Sequence, residues 1–235
     1  MRRSRIITEV KEITEEPGKN KPAGGEKREG EVAKATVEEV IAISSEELKR
    51  LAVFSEDLCA RVFPNESDRA FAAGFLKGIV RPVAAIHPGS GSEKKNWPIR
   101  HWAAIARWLA SEMDMDVLWV GGEADGRNFE WLASEHVPGV ELRQARQLPL
   151  WHLAAVLEQC AIFLGHDSGI THLAAAAGTP VVALFGPTDP AVWAPRNETV
   201  TVLRKDAALE AITPADVRTA IVNRLGKQHH RPPAR

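Results

Sequence analysis

Cysteine is nearly absent from this chain. Cys59 and Cys160 are the only two, far apart and outside any CxxC pattern, so neither a disulfide framework nor a zinc site is indicated. An excess of one charge sign is missing too. Thirty Lys and Arg stand against 31 Asp and Glu, a formal net charge of −1, which gives no basis for the positive face that holds nucleic acid. No apolar run approaches the roughly 18 residues of a membrane span. The amino terminus, MRRSRIITEVKEITEE, lacks the hydrophobic core of a signal peptide. Several nucleotide and hydrolase signatures are also lacking. There is no GxGxxG after the first strand and no GxxxxGK[ST], which argues against a Rossmann dehydrogenase and a Walker A site. GHDSG at 165–169 is not the GxSxG elbow of a serine hydrolase.

Aromatics are absent from residues 1–50, a stretch crowded with Glu, Lys and Arg, whereas all seven tryptophans fall between Trp97 and Trp193. The segment EPGKNKPAGGEKREG at 16–30 has too few apolar groups to offset the entropy of ordering it. A short strand at 6–10 and weak helices at 36–43 and 45–54 are the elements expected there. Residues 1–54 are therefore read as a charged, poorly structured extension. Residues 55–81 form a helical connection, with a helix over 67–77, and 82–226 form the compact domain. The tail, 227–235, is read as disordered.

Within the compact domain, apolar runs alternate with helical patterns. Strands are expected at 83–86, 117–120, 140–142, 161–165, 181–185 and 200–203. Helices are expected at 98–109, 128–134, 150–159, 170–177 and 214–225, the last begun by Thr213 and stopped by Gly226. This alternation predicts an α/β fold with a doubly wound parallel sheet, whose ligands sit at the carboxyl ends of the strands.

The stretch AIFLGHDSGITHLAAAAGTPVVALFGP at 161–187 is its centre: strand, polar turn, short helix, strand. A helix N-terminus offers free N–H groups and partial positive charge, and so receives phosphate. Ser168, Gly169 and His172 lie at that end. Asp167 would repel a phosphate but would accept polyol hydroxyls. Its alternative role, or that of Ser168, is an N-cap worth roughly 0.5–2 kcal/mol. Upstream, Ser90, Gly91 and Ser92 form a small-residue loop whose N–H groups can approach an anion, with Lys95 near enough in sequence to add a point charge. Alone, such a loop is equally a solvated turn. Glu123 follows the second strand, where an acidic residue either accepts ribose hydroxyls or simply faces solvent. Trp97 and Trp102 read as packing residues.

Two blocks, HPGSGSEKKNWP at 87–98 and DSGITHLAAAAGTP at 167–180 followed by LFGPT at 184–188, resemble glycosyltransferase family 9, the ADP-heptose:lipopolysaccharide heptosyltransferases. The resemblance covers roughly residues 83–225 and corresponds to the C-terminal, donor-binding half of a GT-B enzyme. It implies a Rossmann-like domain and inverting, metal-independent transfer of a sugar from a nucleotide-diphosphate donor, ADP-linked, with no cofactor. The implied donor-binding residues are Ser90, Gly91 (through its backbone), Ser92 and Lys95 at the diphosphate, Glu123 at the ribose, and Asp167, Ser168, Gly169 and His172 at the sugar and phosphates. The implied partners are the nucleotide-diphosphate sugar and a lipopolysaccharide-core acceptor or a separate acceptor-domain chain. The implied location is the cytoplasm or the surface of the inner membrane. In the family the catalytic base belongs to the N-terminal half, and nothing in residues 1–80 resembles that half, so no base is nominated. The alternative is a non-catalytic nucleotide-sugar-binding module or a half enzyme that depends on a partner.

Overall fold

The computed structural model describes residues 59–90, 92, 95–122, 125–135 and 140–227. The elements expected at 6–10, 16–30, 36–43 and 45–54 lie outside the described residues, as do the tail from 228 onward and the site candidates Gly91 and Glu123.

Six strands form one sheet: Val83–Ile86 (β1), Asp116–Gly121 (β2), Arg143–Arg146 (β3), Ile162–His166 (β4), Val181–Leu184 (β5) and Val200–Leu203 (β6). Their order is β3-β2-β1-β4-β5-β6, and every neighbouring pair is parallel. The helices are Glu66–Phe75 (α1), Ile99–Glu112 (α2), Gly126–Glu135 (α3), Leu150–Glu158 (α4), Gly169–Ala176 (α5), Pro190–Trp193 (α6) and Pro214–Gly226 (α7). This is the expected doubly wound α/β architecture. Among the described residues no helix is long and apolar enough to cross a membrane.

The apolar runs are continuous because both faces of the sheet are covered. Side chains alternate along a strand, so each run feeds two cores. Ala84 and Ile86 of β1, Val117 and Trp119 of β2, and Ile162 and Leu164 of β4 join Trp102, Ile105 and Leu109 of α2 and Val217 and Ile221 of α7. Val83, Ala85, Leu118, Val120 and Phe163 face the other way, onto Val156 and Leu157 of α4 and Ala174 and Ala175 of α5. In α2 the buried Trp102, Ile105, Ala106 and Leu109 recur at the spacing of one helical face. Trp97 and Trp102 are buried, as packing residues.

Helix ends follow local chemistry. Asn65 and Asp68 form a reciprocal capping box at the start of α1, and Thr213 and Asp216 form one at α7. At the end of α5, Gly178 adopts φ 87°. Its N–H donates to Ala175 and that of Thr179 to Ala174, the bond pattern of a Schellman motif. The connection docks on the domain through α1, where Phe71 stacks on His152 at 4.1 Å and Arg69 pairs with Glu158 at 2.8 Å.

Of the boundaries that differ from expectation, three bear on the local signals read from the sequence. The third strand is Arg143–Arg146, not 140–142. It is an edge strand, bonded only to β2, and of its residues only Ala145 is buried. Val140 and Leu142 pack against the core just before it. Helix α7 runs through Gly226, and Lys227 closes it in a right-handed conformation, so Gly226 is not a left-handed stop. Helix α1 ends at Phe75, two residues short of the expected span.

Candidate functional site

The strand order reverses direction between β1 and β4, so the loops that leave these two strands diverge and open a crevice at the carboxyl edge of the sheet. The crevice holds about 360 Å³. Its wall is mostly apolar, from Val120, Leu148, Leu150, Leu153 and Ile170, and His87, Ser90, Asp125, Gln147 and Ser168 supply its polar groups. A larger hollow of about 820 Å³ lies at the opposite edge, among residues 59–63, the carboxyl end of α5 and the connection before β6. That hollow lies at a helix carboxyl end, which carries partial negative charge, and is lined by Arg61 and Arg196 as well as Glu158 and Glu198, so no one charge sign in it points to a ligand. The crevice is the functional candidate.

His166, the last residue of β4, anchors the loop that leaves β1. It is fully buried. Its Nε2 accepts the Trp97 N–H at 2.8 Å, and its Nδ1 lies 3.3 Å from the Gly89 carbonyl. This network assigns a neutral ring with the proton on Nδ1, one donor and one acceptor, both used. Burial pushes its pKa down to about 3. His166 thereby ties the β1–α2 loop at both ends, at Gly89 and at Trp97. The Trp97 indole completes the anchorage by donating to the Ile212 carbonyl at 2.9 Å.

A second polar chain runs along the crevice wall. His87 Nε2 lies 3.3 Å from Asp125 Oδ2, and His87 Nδ1 lies 3.4 Å from Ser168 Oγ. Asp125 also accepts the Gly122 N–H at 2.8 Å. Burial alone would raise the Asp125 pKa, but the bonds from His87 and Gly122 outweigh it and hold the carboxyl below its usual range. Gly89 is required beside this chain. A Cβ there would lie 1.6 Å from Asp125 Oδ1.

The expected site residues fall around this frame. Ser168 is the N-cap of α5, its side chain accepting from the Thr171 N–H. Gly169 opens the helix, and a Cβ on it would meet nothing within 4 Å, so its backbone is open to approach. Asp167 pairs with Lys95, Nζ to Oδ2, at 2.9 Å. Ser90 Oγ lies 2.8 Å from both the Ser92 carbonyl and Asn96 Oδ1, and it accepts the Ser92 N–H at 3.3 Å. Ser90 thus closes the loop on itself, its single hydrogen serving one acceptor at a time. His172 is exposed, with Nε2 3.0 Å from the Trp193 carbonyl at the end of α6.

The structure therefore gathers Ser90, Ser168 and Gly169 on the crevice lining and joins Lys95 to Asp167, while turning His172 toward α6. Sequence reasoning missed His87, Asp125 and His166 as site residues. His87 and His166 carried a signal, since each sits at the carboxyl end of a central strand. Asp125 carried none: it is one acid in a loop where Glu123 has the more obvious position. Among the described residues no cluster of three His, Cys, Asp or Glu side chains is set to hold a metal ion.

The chain is similar to several known proteins. The chain matches the family model described as glycosyltransferase family 9 (heptosyltransferase) over residues 29–214. It is 27% identical over 127 residues to lipooligosaccharide heptosyltransferase 2 of Haemophilus influenzae, covering 53% of this chain and 37% of that protein. A glycosyl transferase family 9 structure from Veillonella parvula superposes with a TM-score of 0.68 at 22% identity, covering 77% of this chain and 58% of that one. The ADP-heptose lps heptosyltransferase II of E. coli gives 0.64 at 24% identity, covering 75% and 56%. At these identities the structural likeness is one of fold. The chain spans well under half the length of the curated relative. The family model nonetheless takes in most of this chain and both blocks that line the crevice, and the chain belongs to glycosyltransferase family 9.

Proposed function

We propose that this chain binds a nucleotide-diphosphate sugar, ADP-linked, in the crevice and supplies the donor side of sugar transfer to a lipopolysaccharide-type acceptor. One observation carries the reading. At the switch point of the sheet, an open helix N-terminus and a lysine stand beside a crevice whose mostly apolar wall carries the polar groups of His87, Ser90, Asp125 and Ser168.

In this reading the diphosphate lies against the N–H groups that open α5, where Ser168 and Gly169 stand. The loop of Ser90, Gly91 and Ser92 covers its other side, and Lys95 and His172 add donors. Glu123 takes the ribose hydroxyls and Asp167 those of the sugar. Family membership supports an inverting course, in which an acceptor hydroxyl oxygen bonds to the anomeric carbon from the face opposite the diphosphate. The bond from that carbon to the phosphate oxygen breaks, and its electron pair leaves with the diphosphate. The hydroxyl proton passes to a general base, which the family resemblance assigns to the acceptor-binding half. Fixed donors aimed at the leaving charge are what this half contributes to rate.

Calorimetric titration with ADP, UDP and ADP-heptose tests the binding step. Saturable binding of ADP and ADP-heptose, abolished or strongly weakened by Lys95→Ala, is expected. A folded sample that binds none of the three overturns the reading. Heptose transfer to a heptose-deficient lipopolysaccharide then separates an active enzyme from a binding module.

A further inference from the structure

Two buried histidines stand at the carboxyl ends of the central strands β1 and β4, and their surroundings differ in one respect. His166 has an N–H donor, that of Trp97, directed at its Nε2. A second ring proton would set donor against donor. His87 has an acceptor at each nitrogen: the Asp125 carboxylate at Nε2 and the Ser168 hydroxyl oxygen at Nδ1.

The His87 chain can therefore be satisfied in two ways. With a neutral ring, Nε2–H donates to Asp125 and the Ser168 hydroxyl donates to Nδ1. With a protonated ring, Nδ1–H donates to Ser168 Oγ, and the Ser168 hydroxyl turns to Thr171 Oγ1, 3.1 Å away. Thr171 is free to accept there because its own hydrogen goes to the His166 carbonyl. One hydroxyl rotates and every polar atom keeps a partner. Asp125, from the loop before α3, and His166, from the end of β4, both interact electrostatically with His87. Asp125 favours the added charge, and neutral His166 does not oppose it.

We propose that His87 takes up a proton when a diphosphate ester seats at the N-terminus of α5, the imidazolium spanning Asp125 and Ser168 and offsetting part of the incoming negative charge. This rests on the nucleotide-diphosphate reading of the crevice. It makes His87 a positioning residue that acts on the anion through Ser168 and through charge, with no bond to the reacting atoms. Histidine is the side chain that ordinarily changes charge near neutrality, which suits it to the task.

The test is calorimetric titration of the full chain with ADP-heptose, whose phosphates have no ionisation near neutrality, at pH 7.5 in two buffers of different ionisation enthalpy. Net uptake of up to about one proton per site is expected, with binding about tenfold weaker and the uptake lost in His87→Gln. Saturable binding with buffer-independent heat overturns the inference and leaves the binding reading standing. The absence of binding by a folded sample overturns both. Uptake that persists in a folded His87→Gln variant also overturns the inference. Should His87→Gln not fold, Ser168→Ala removes the oxygen that receives Nδ1–H and is expected to cut uptake by more than half. Unchanged uptake there counts against His87.

Discussion

Lys95 and Asp167 hold the β1–α2 loop to the start of α5, Nζ to Oδ2 at 2.9 Å, although 72 positions separate them in the chain. The Asp167 side chain is 10% exposed and that of Lys95 33%. The cation proposed for the diphosphate and the anion proposed for the sugar thus neutralise one another. Seating a nucleotide diphosphate would draw Lys95 from its partner and leave Asp167 free to accept hydroxyls.

The first prediction tests that exchange. Lys95→Ala is expected to weaken ADP binding by about 1–3 kcal/mol, the range for a charge-assisted hydrogen bond. Asp167→Asn, which loosens the hold on Lys95, should leave ADP binding equal or tighter while weakening ADP-heptose binding. Equal losses for both ligands in Asp167→Asn would remove its assigned sugar contact. A double-mutant cycle measures the coupling.

Gly89 and Gly169 should behave oppositely. Gly89→Ala sets a Cβ within 1.6 Å of Asp125 Oδ1 and is expected to cost about 1–3 kcal/mol of stability, as overpacking does. Gly169→Ala meets nothing within 4 Å, so it should leave the urea midpoint unchanged yet weaken nucleotide binding by crowding the approach to α5. A stable Gly89→Ala would show that Asp125 has room to turn aside.

Stability should fall in mild acid because of His166. Its folded pKa, about 3, lies below the ordinary 6.5, so the unfolded chain binds a proton that the native chain refuses. The contribution is complete above about pH 6.5 and is lost as the pH falls toward 3, on the order of 3–5 kcal/mol in all. Urea denaturation at pH 7.5 and pH 5 measures it. A His166→Gln variant, less stable at pH 7.5, should show a flatter pH profile, and an unaltered profile would assign the acid sensitivity elsewhere.

The two cysteines should label in order. Burial pushes the Cys160 thiol up to about 12, so little thiolate forms there in the native state. Cys59 is half-buried. A thiol reagent at pH 8 is expected to modify Cys59 in the native chain and Cys160 only after unfolding, as peptide mass mapping would show. Native labelling of Cys160 would mean that the α4–β4 turn opens locally.

The central sheet was legible in sequence because its strands are buried on both faces and read as unbroken apolar runs. Val83–Ile86, buried throughout, has the expected bounds, and so does the partly exposed edge strand Val200–Leu203. Polar β3 was misplaced for the complementary reason: its pairing comes from register with Leu118 to Gly121, a long-range fact no local pattern carries. At the site, Ser168 announced itself by standing between a strand and an alanine-rich helix. The Lys95–Asp167 pair and the Asp125–His87–Ser168 chain join three loops from separate strands, and only the closed sheet brings those loops together. Ser90 was legible as a loop residue, while its bonds to Ser92 and Asn96 depend on how that loop folds back.

The clamp made by His166 also bears on how such proteins diverge. One imidazole, seated at the end of a core strand, holds a long loop at two points, so the backbone frame of the loop does not depend on the side chains at its tip. Substitutions between Ser90 and Asn96 can accumulate without unmooring it, and a lineage can try new ligand preferences there at little risk to folding. Change at His166 carries the opposite hazard, because it removes both of the bonds that hold the loop, whereas Gly89 and Trp97 contribute theirs through the backbone.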